Sequence, residues 1–146
     1  MNEWTLEATF QIAQKALESG RRLQLAPLAV AVLDVRACVR ALLSEDGCST
    51  LRADIASAKA RSALALGVGG ASLARRAQHN PSFFSSLSAL SGGQMVPVRG
   101  SVLVKNPSGR LLGALGISGD TAENDEACAV AAIEAMGFLA DAGEPA

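Results

Sequence analysis

The sequence predicts an α+β fold, an antiparallel sheet of about five strands covered by helices. Two apolar runs, residues 28–34 and 37–43, are joined by little more than Asp34-Val35-Arg36, a connection too short for anything but antiparallel pairing. Residues 100–105 and 110–117 flank Asn106-Pro107-Ser108-Gly109, a strong hairpin signal. The helical stretches are grouped before, between and after these pairs rather than alternating with single strands, which favours an antiparallel sheet over a parallel one.

The elements follow in order. Residues 5–22 have Leu6, Phe10, Ala13 and Leu17 on one helical stripe, with Glu7, Gln11, Gln14 and Glu18 elsewhere. Gly20 weakens the end of that helix and Pro27 breaks the chain before the first strand. Ser44-Glu45-Asp46-Gly47 is a turn, and an Ala-rich helix runs from residue 49 or 50 to 66, with Leu51, Ile55, Ala58, Ser62 and Leu66 at helical spacing. Gly67, Gly69 and Gly70 end it. Two short helices follow over 71–78 and 81–90, the second opened by Pro81. Gly92-Gly93 precedes the hairpin strands, and the last helix spans about 121–139 with Asp120 and Glu123 spaced as an N-terminal cap. The whole chain, 1–146, reads as one domain.

Composition narrows the function classes. The formal net charge is −1 with acids and bases interspersed, so no strong field attracts nucleic acid or an anionic membrane. No segment reaches the roughly 18 continuous apolar residues of a membrane span. Met1-Asn2-Glu3-Trp4-Thr5 lacks the basic-then-apolar pattern of a secretory signal. Cys38, Cys48 and Cys128 are odd in number and far apart, with no metal or haem-attachment spacing. A cytoplasmic protein with reduced cysteines is expected. The apolar share is 49%, built from Ala, Leu and Val with only five aromatics (four Phe, one Trp). That surplus predicts a homo-oligomer.

The stretch Val102-Leu103-Val104-Lys105-Asn106-Pro107-Ser108-Gly109-Arg110-Leu111-Leu112-Gly113-Ala114-Leu115-Gly116-Ile117-Ser118-Gly119-Asp120, continuing through Asn124-Asp125-Glu126-Ala127-Cys128-Ala129, resembles the signature of the GlcG/HbpS haem-binding-like family. Residues 29–34, Asp46-Gly47 and Ala56-Ser57-Ala58-Lys59-Ala60 are similar to its first strand, its turn and its Lys-containing helix. The resemblance implies a profilin-like fold, a curved antiparallel sheet with packed helices, assembled as a dimer to octamer. It also implies a small-molecule ligand, haem in some members and organic acids or aromatic-degradation intermediates near others. The family's Gly-rich segment at the pocket mouth corresponds to Gly92-Gly93-Gln94-Met95-Val96-Pro97-Val98-Arg99-Gly100-Ser101, where Arg99 and Ser101 are bulkier than the pattern.

Within that frame the ligand-binding candidates are Asp46, Lys59, Arg99, Gly116, Ser118, Gly119 and Asp120. Lys59 and Arg99 are cations suited to a carboxylate. Lys59 is alternatively a lysine snorkelling at a helix edge. His79 is the sole histidine and has two readings, an axial haem ligand or a solvated loop residue. Met95 and the cysteines are alternative iron ligands, and Phe83-Phe84 are placed to wall a haem site. So few aromatics argue against a deep haem pocket in one subunit, an objection that a haem held between subunits escapes. Asp120, Glu123, Asp125 and Glu126 point around a helix rather than converging, so capping and dipole compensation are expected and a metal site is not. Gly67-Val68-Gly69-Gly70 and the glycines at 113, 116 and 119 lack the strand–loop–helix setting of a nucleotide site. Cys48 is expected to be the exposed thiol, with Glu45 and Asp46 disfavouring its thiolate.

The sequence therefore supports an oligomeric small-ligand-binding protein, with haem as one ligand. The alternatives are a small enzyme acting on an organic acid or aromatic intermediate through Lys59, Arg99 or Asp46, and an adaptor with no ligand.

Overall fold

A computed structural model describes residues 3–145. Helix α1 (Leu6–Arg22) starts at Thr5, whose hydroxyl accepts a hydrogen bond from the Ala8 N–H and satisfies one orphan donor of the first turn. Strands β1 (Ala29–Asp34) and β2 (Val39–Ser44) form the first antiparallel pair. Helices α2 (Arg52–Leu66), α3 (Gly70–His79) and α4 (Pro81–Leu90) follow, then β3 (Ser101–Lys105), β4 (Leu111–Ser118), α5 (Ala122–Ala135) and β5 (Leu139–Asp141). The sheet order is β2-β1-β4-β3-β5, antiparallel throughout.

Both faces of the sheet are covered, which explains why β1 reads as a continuous apolar run rather than an alternating one. On one face Val30, Val32, Val102, Val104, Leu115 and Ile117 pack against Ile12, Ala13 and Ala16 of α1 and Cys128, Ala129 and Ile133 of α5. On the other, Ala29, Ala31, Leu33, Leu103 and Ala114 meet Ala56, Ala60 and Ala63 of α2, Leu73 of α3 and Phe84 of α4. The second face is built of small residues, so α2 lies unusually close to the sheet. A Cβ on Gly116 would collide with the Ala56 carbonyl oxygen. The alanines of α2 and the glycine of β4 are thus two halves of one close contact.

Four local expectations are corrected. The buried face of α1 is Thr9, Ile12, Ala13, Ala16, Ser19 and Gly20, whereas Leu6 and Phe10 are exposed. The helical stripe is real but rotated. In α2 the Ala58 and Ser62 of the expected stripe are buried, but Leu51 lies before the helix and is exposed, Ile55 is half-buried, and Ala56, Ala60 and Ala63 are the apolar residues that meet the sheet. Thr121, not Asp120, caps α5, its hydroxyl accepting from the Asn124 N–H. Finally, α5 stops at Ala135 and the chain turns through Gly137 (φ +82°) into β5. A left-handed glycine ends the helix before residue 139.

Candidate ligand site

Most of the sequence-predicted polar residues gather where β4 ends and α5 begins. Lys59 projects from the buried side of α2. Its ammonium donates to the Ile117 carbonyl at 2.8 Å and lies 3.3 Å from Asp125 Oδ2. Gly100 makes this possible, since a Cβ there would stand 2.6 Å from Lys59 Nζ. Asp125 in turn accepts from the Asp120 N–H through Oδ1. Burial pushes the Lys59 ammonium pKa down, opposed by the Asp125 charge, and pushes the Asp125 carboxyl up, opposed by Lys59.

Around this pair the other contacts are internal as well. Ser118, fully buried, accepts a hydrogen bond from Arg52 at 3.2 Å. Asp120 accepts from the Ala26 and Thr121 backbone and from the Asn124 amide. The Asn124 bond leads the causes that hold its carboxyl below the usual range. Gly119 passes close to the Pro27 carbonyl at φ +147°. Arg99 forms a two-pronged pair with Glu126, at 3.2 and 2.6 Å, and reaches Glu123 at 3.6 Å. Lys59 and Arg99 are therefore each neutralised by a carboxylate of α5. The cluster ties α2, β4, α5 and the 96–100 loop together.

Asp46 stands apart, exposed in its turn. Its neighbour Glu45 makes the contacts there, accepting from the Leu28 N–H and pairing with Arg21 at 2.9 Å. Cys38, not Cys48, is the exposed thiol. Cys48 is partly covered, and burial leads the causes that raise its pKa.

His79 closes α3 on the far side of the same helical layer. Its Nδ1 lies 2.8 Å from the Arg75 carbonyl oxygen. It borders a cleft of about 490 Å³ lined by Leu66, Arg76, His79, Asn80, Phe83 and Phe84. Phe83 and Phe84 meet edge to face at 5.7 Å. Phe84 is anchored in the core, while Phe83 is half exposed at the cleft wall. Asn80 holds the α3–α4 junction by capping α4.

The model of a family described as haem degrading protein HbpS-like matches residues 4–134. The chain belongs to the HbpS-like family. Three solved structures share its fold. The PduOC:heme complex is 24% identical over 94% of this chain and 97% of that one, with a TM-score of 0.83. HbpS is 23% identical over 94% and 92%, with a TM-score of 0.79. Klebsiella pneumoniae ORFY, of family-model DUF336, is 24% identical over 93% and 92%, with a TM-score of 0.79. No curated protein matches the chain at a significant level.

In this HbpS-like chain the structure thus joins Lys59, Gly116, Ser118, Gly119, Asp120 and Arg99 in one region, and places Asp46 and His79 outside it. Asp125, expected only to compensate the helix dipole, is instead buried against Lys59. It looked like a first-turn acid, yet Asp125, Cys128, Ala129, Ala132 and Ile133 form the buried face of α5. That i, i+3, i+4, i+7, i+8 spacing was the available signal. No helix among the described residues is long and apolar enough to cross a membrane.

Proposed function

We propose that this HbpS-like protein binds haem in the His79 cleft, with His79 as the axial ligand. The observation that carries the proposal is the setting of the imidazole. A backbone carbonyl only accepts, so Nδ1 at 2.8 Å from the Arg75 oxygen carries the ring hydrogen. In the neutral imidazole this leaves the lone pair on Nε2, the form in which histidine binds iron. The donor set fits the group: one imidazole nitrogen, two aromatic rings and Leu66 as apolar wall, and Arg76 at the rim to meet a propionate. Haem, when bound, supplies a redox-active iron. The residues of this chain hold the ring, fix the ligand nitrogen and shield one face from water. The family's description and a similar structure solved with haem support the choice of ligand.

This reading is favoured over an organic-acid enzyme at Lys59 and Arg99. Both cations are already paired, and Lys59 is only 4% exposed. We further propose that the protein self-associates, since Leu90 of α4 is 84% exposed and Leu6 of α1 64%. The three free thiols support a reducing compartment, the cytoplasm.

Absorbance titration with ferric haem tests the central reading on native protein and His79→Ala. A saturable Soret change that weakens at least tenfold in the variant is expected. Equal binding by both proteins would remove His79 from the site.

A further inference from the structure

We propose a second ligand site, distinct from the His79 cleft, that takes an organic carboxylate with an apolar body. It lies where the β1–β2 turn faces α2 and the loop after α4. The cleft there measures about 360 Å³ and is lined by Val35, Arg36, Ala37, Arg61, Leu64, Ala65, Ser91, Gln94 and Met95, none of which borders the His79 cleft. Its lining is mainly apolar, with Ser91 and Gln94 as neutral polar residues, and its charged residues are two arginines.

Single guanidiniums without a partner among the described residues occur elsewhere, as Arg76 does at the His79 cleft, but this cleft is lined by two and by no acid. Among the described residues, five ion pairs and several side-chain hydrogen bonds engage Arg21, Arg22, Arg40, Arg52, Lys59, Arg99 and Lys105. Neither the Arg36 nor the Arg61 guanidinium has such a partner among the described residues. No carboxylate lines the cleft itself. Asp34, at the start of the turn, is occupied in accepting from the Arg36 and Cys38 N–H groups. Asp54 lines an adjoining cleft that shares Arg61 and Gln94.

The backbone here is also held in a costly form. Ala37 has φ +61°, a left-handed position where glycine is the ordinary choice of a hairpin turn. The Asp34 carboxylate bonds and the Ala37 N–H to Asp34 carbonyl bond keep it there. Alanine instead of glycine gives the cleft a methyl wall. Opposite, the loop is tethered through the Val96 N–H to the buried Ser62 hydroxyl at 2.8 Å, which fixes Met95 over the cleft. The two guanidinium side chains among its lining residues suit a planar carboxylate. An aliphatic wall of Val35, Leu64 and Met95 matches an apolar remainder rather than a bare inorganic anion.

Amide chemical-shift mapping of the full ¹⁵N-labelled chain tests the site, with benzoate, uncharged benzamide and inorganic phosphate as probes. Benzoate is expected to shift the amides of Arg61, Leu64, Gln94 and Met95 saturably, and both other probes to bind at least tenfold more weakly. Arg61→Gln and Arg36→Gln each weaken benzoate at least fivefold, and Ala65→Glu, an exposed helical position, abolishes binding by placing a carboxylate in the cleft. His79→Ala leaves benzoate binding unchanged, which separates this site from the haem proposal. Shifts that persist in all three cleft variants, or no saturable shifts in native protein, overturn it. Phosphate binding as tightly as benzoate would overturn the requirement for an apolar body.

Discussion

The Lys59 ammonium and the Asp125 carboxylate lie 3.3 Å apart, with side-chain exposures of 5% and 1%. They link a helix on one face of the sheet to a helix on the other, past the end of β4. A buried pair of this kind does not by itself argue for stability, because desolvating both charges costs about as much as their attraction returns. Removing one partner is another matter, since a lone charge is then left in the interior.

Lys59→Met and Asp125→Asn are therefore each expected to lower unfolding free energy by about 3 kcal/mol. The double variant should cost less than the sum by more than about 1 kcal/mol. Urea unfolding of the four proteins measures this cycle. Strict additivity would mean that the two charges do not depend on each other.

Gly116→Ala is expected to be more damaging than the loss of any exposed side chain. Its added methyl meets the Ala56 carbonyl, a backbone atom that a side-chain rotation cannot move. The strain forces α2 away from β4, at a cost of about 3 kcal/mol or more. Gly109→Ala serves as the comparison, because open space surrounds that position. Its cost comes from its φ of +90° alone, about 1–2 kcal/mol. Thermal unfolding of the two variants should rank them in that order.

The acid limb of stability is expected to depend on Asp120 and Asp141. Asp120 is held below the usual carboxylate range first by the Asn124 amide and then by the Ala26 and Thr121 N–H groups. Asp141 is held down mainly by Lys105, 2.9 Å away. The unfolded chain binds these protons at higher pH than the folded one. Their contribution is thus fully present above the ordinary aspartate pKa and is lost as pH falls through the lower folded values. Stability should fall below about pH 4, and Asp120→Asn with Asp141→Asn should flatten that slope. An unchanged slope would place the acid sensitivity elsewhere.

Much of the fold was legible in the residues, for reasons that particular elements make plain. Two hairpins announced themselves through turn chemistry, and β1 through its unbroken apolar run. A sheet of about five strands was expected, but the place of the last one was not legible, because Leu139-Ala140-Asp141 continues the Ala/Leu texture of α5 and only Gly137 marks the stop. The rotation of α1 escaped for a similar reason. Leu6 and Phe10 outrank Thr9 and Ser19 in hydrophobicity, yet the smaller residues are the ones that fit between α5 and the sheet.

The site was legible only in part. Lys59 and Arg99 were picked out as cations, but their partners are decided by how α5 crosses the sheet, which no local pattern records. Arg36 and Arg61 are 25 positions apart in sequence and share a cleft only because the β1–β2 turn folds over α2. His79 stood out because it is the sole histidine. Its hydrogen bond to the Arg75 carbonyl, which fixes the ring's tautomer, needed the geometry of α3.

That same uniqueness supplies the most direct measurement. Untagged protein labelled with ¹⁵N only in histidine carries the label in a single side chain, so electron–nuclear double resonance on the ferric haem complex reports on His79 alone. A strong ¹⁵N hyperfine coupling from one imidazole nitrogen bound to iron is expected. A haem complex that forms without that coupling would contradict the assignment of His79 as the axial ligand.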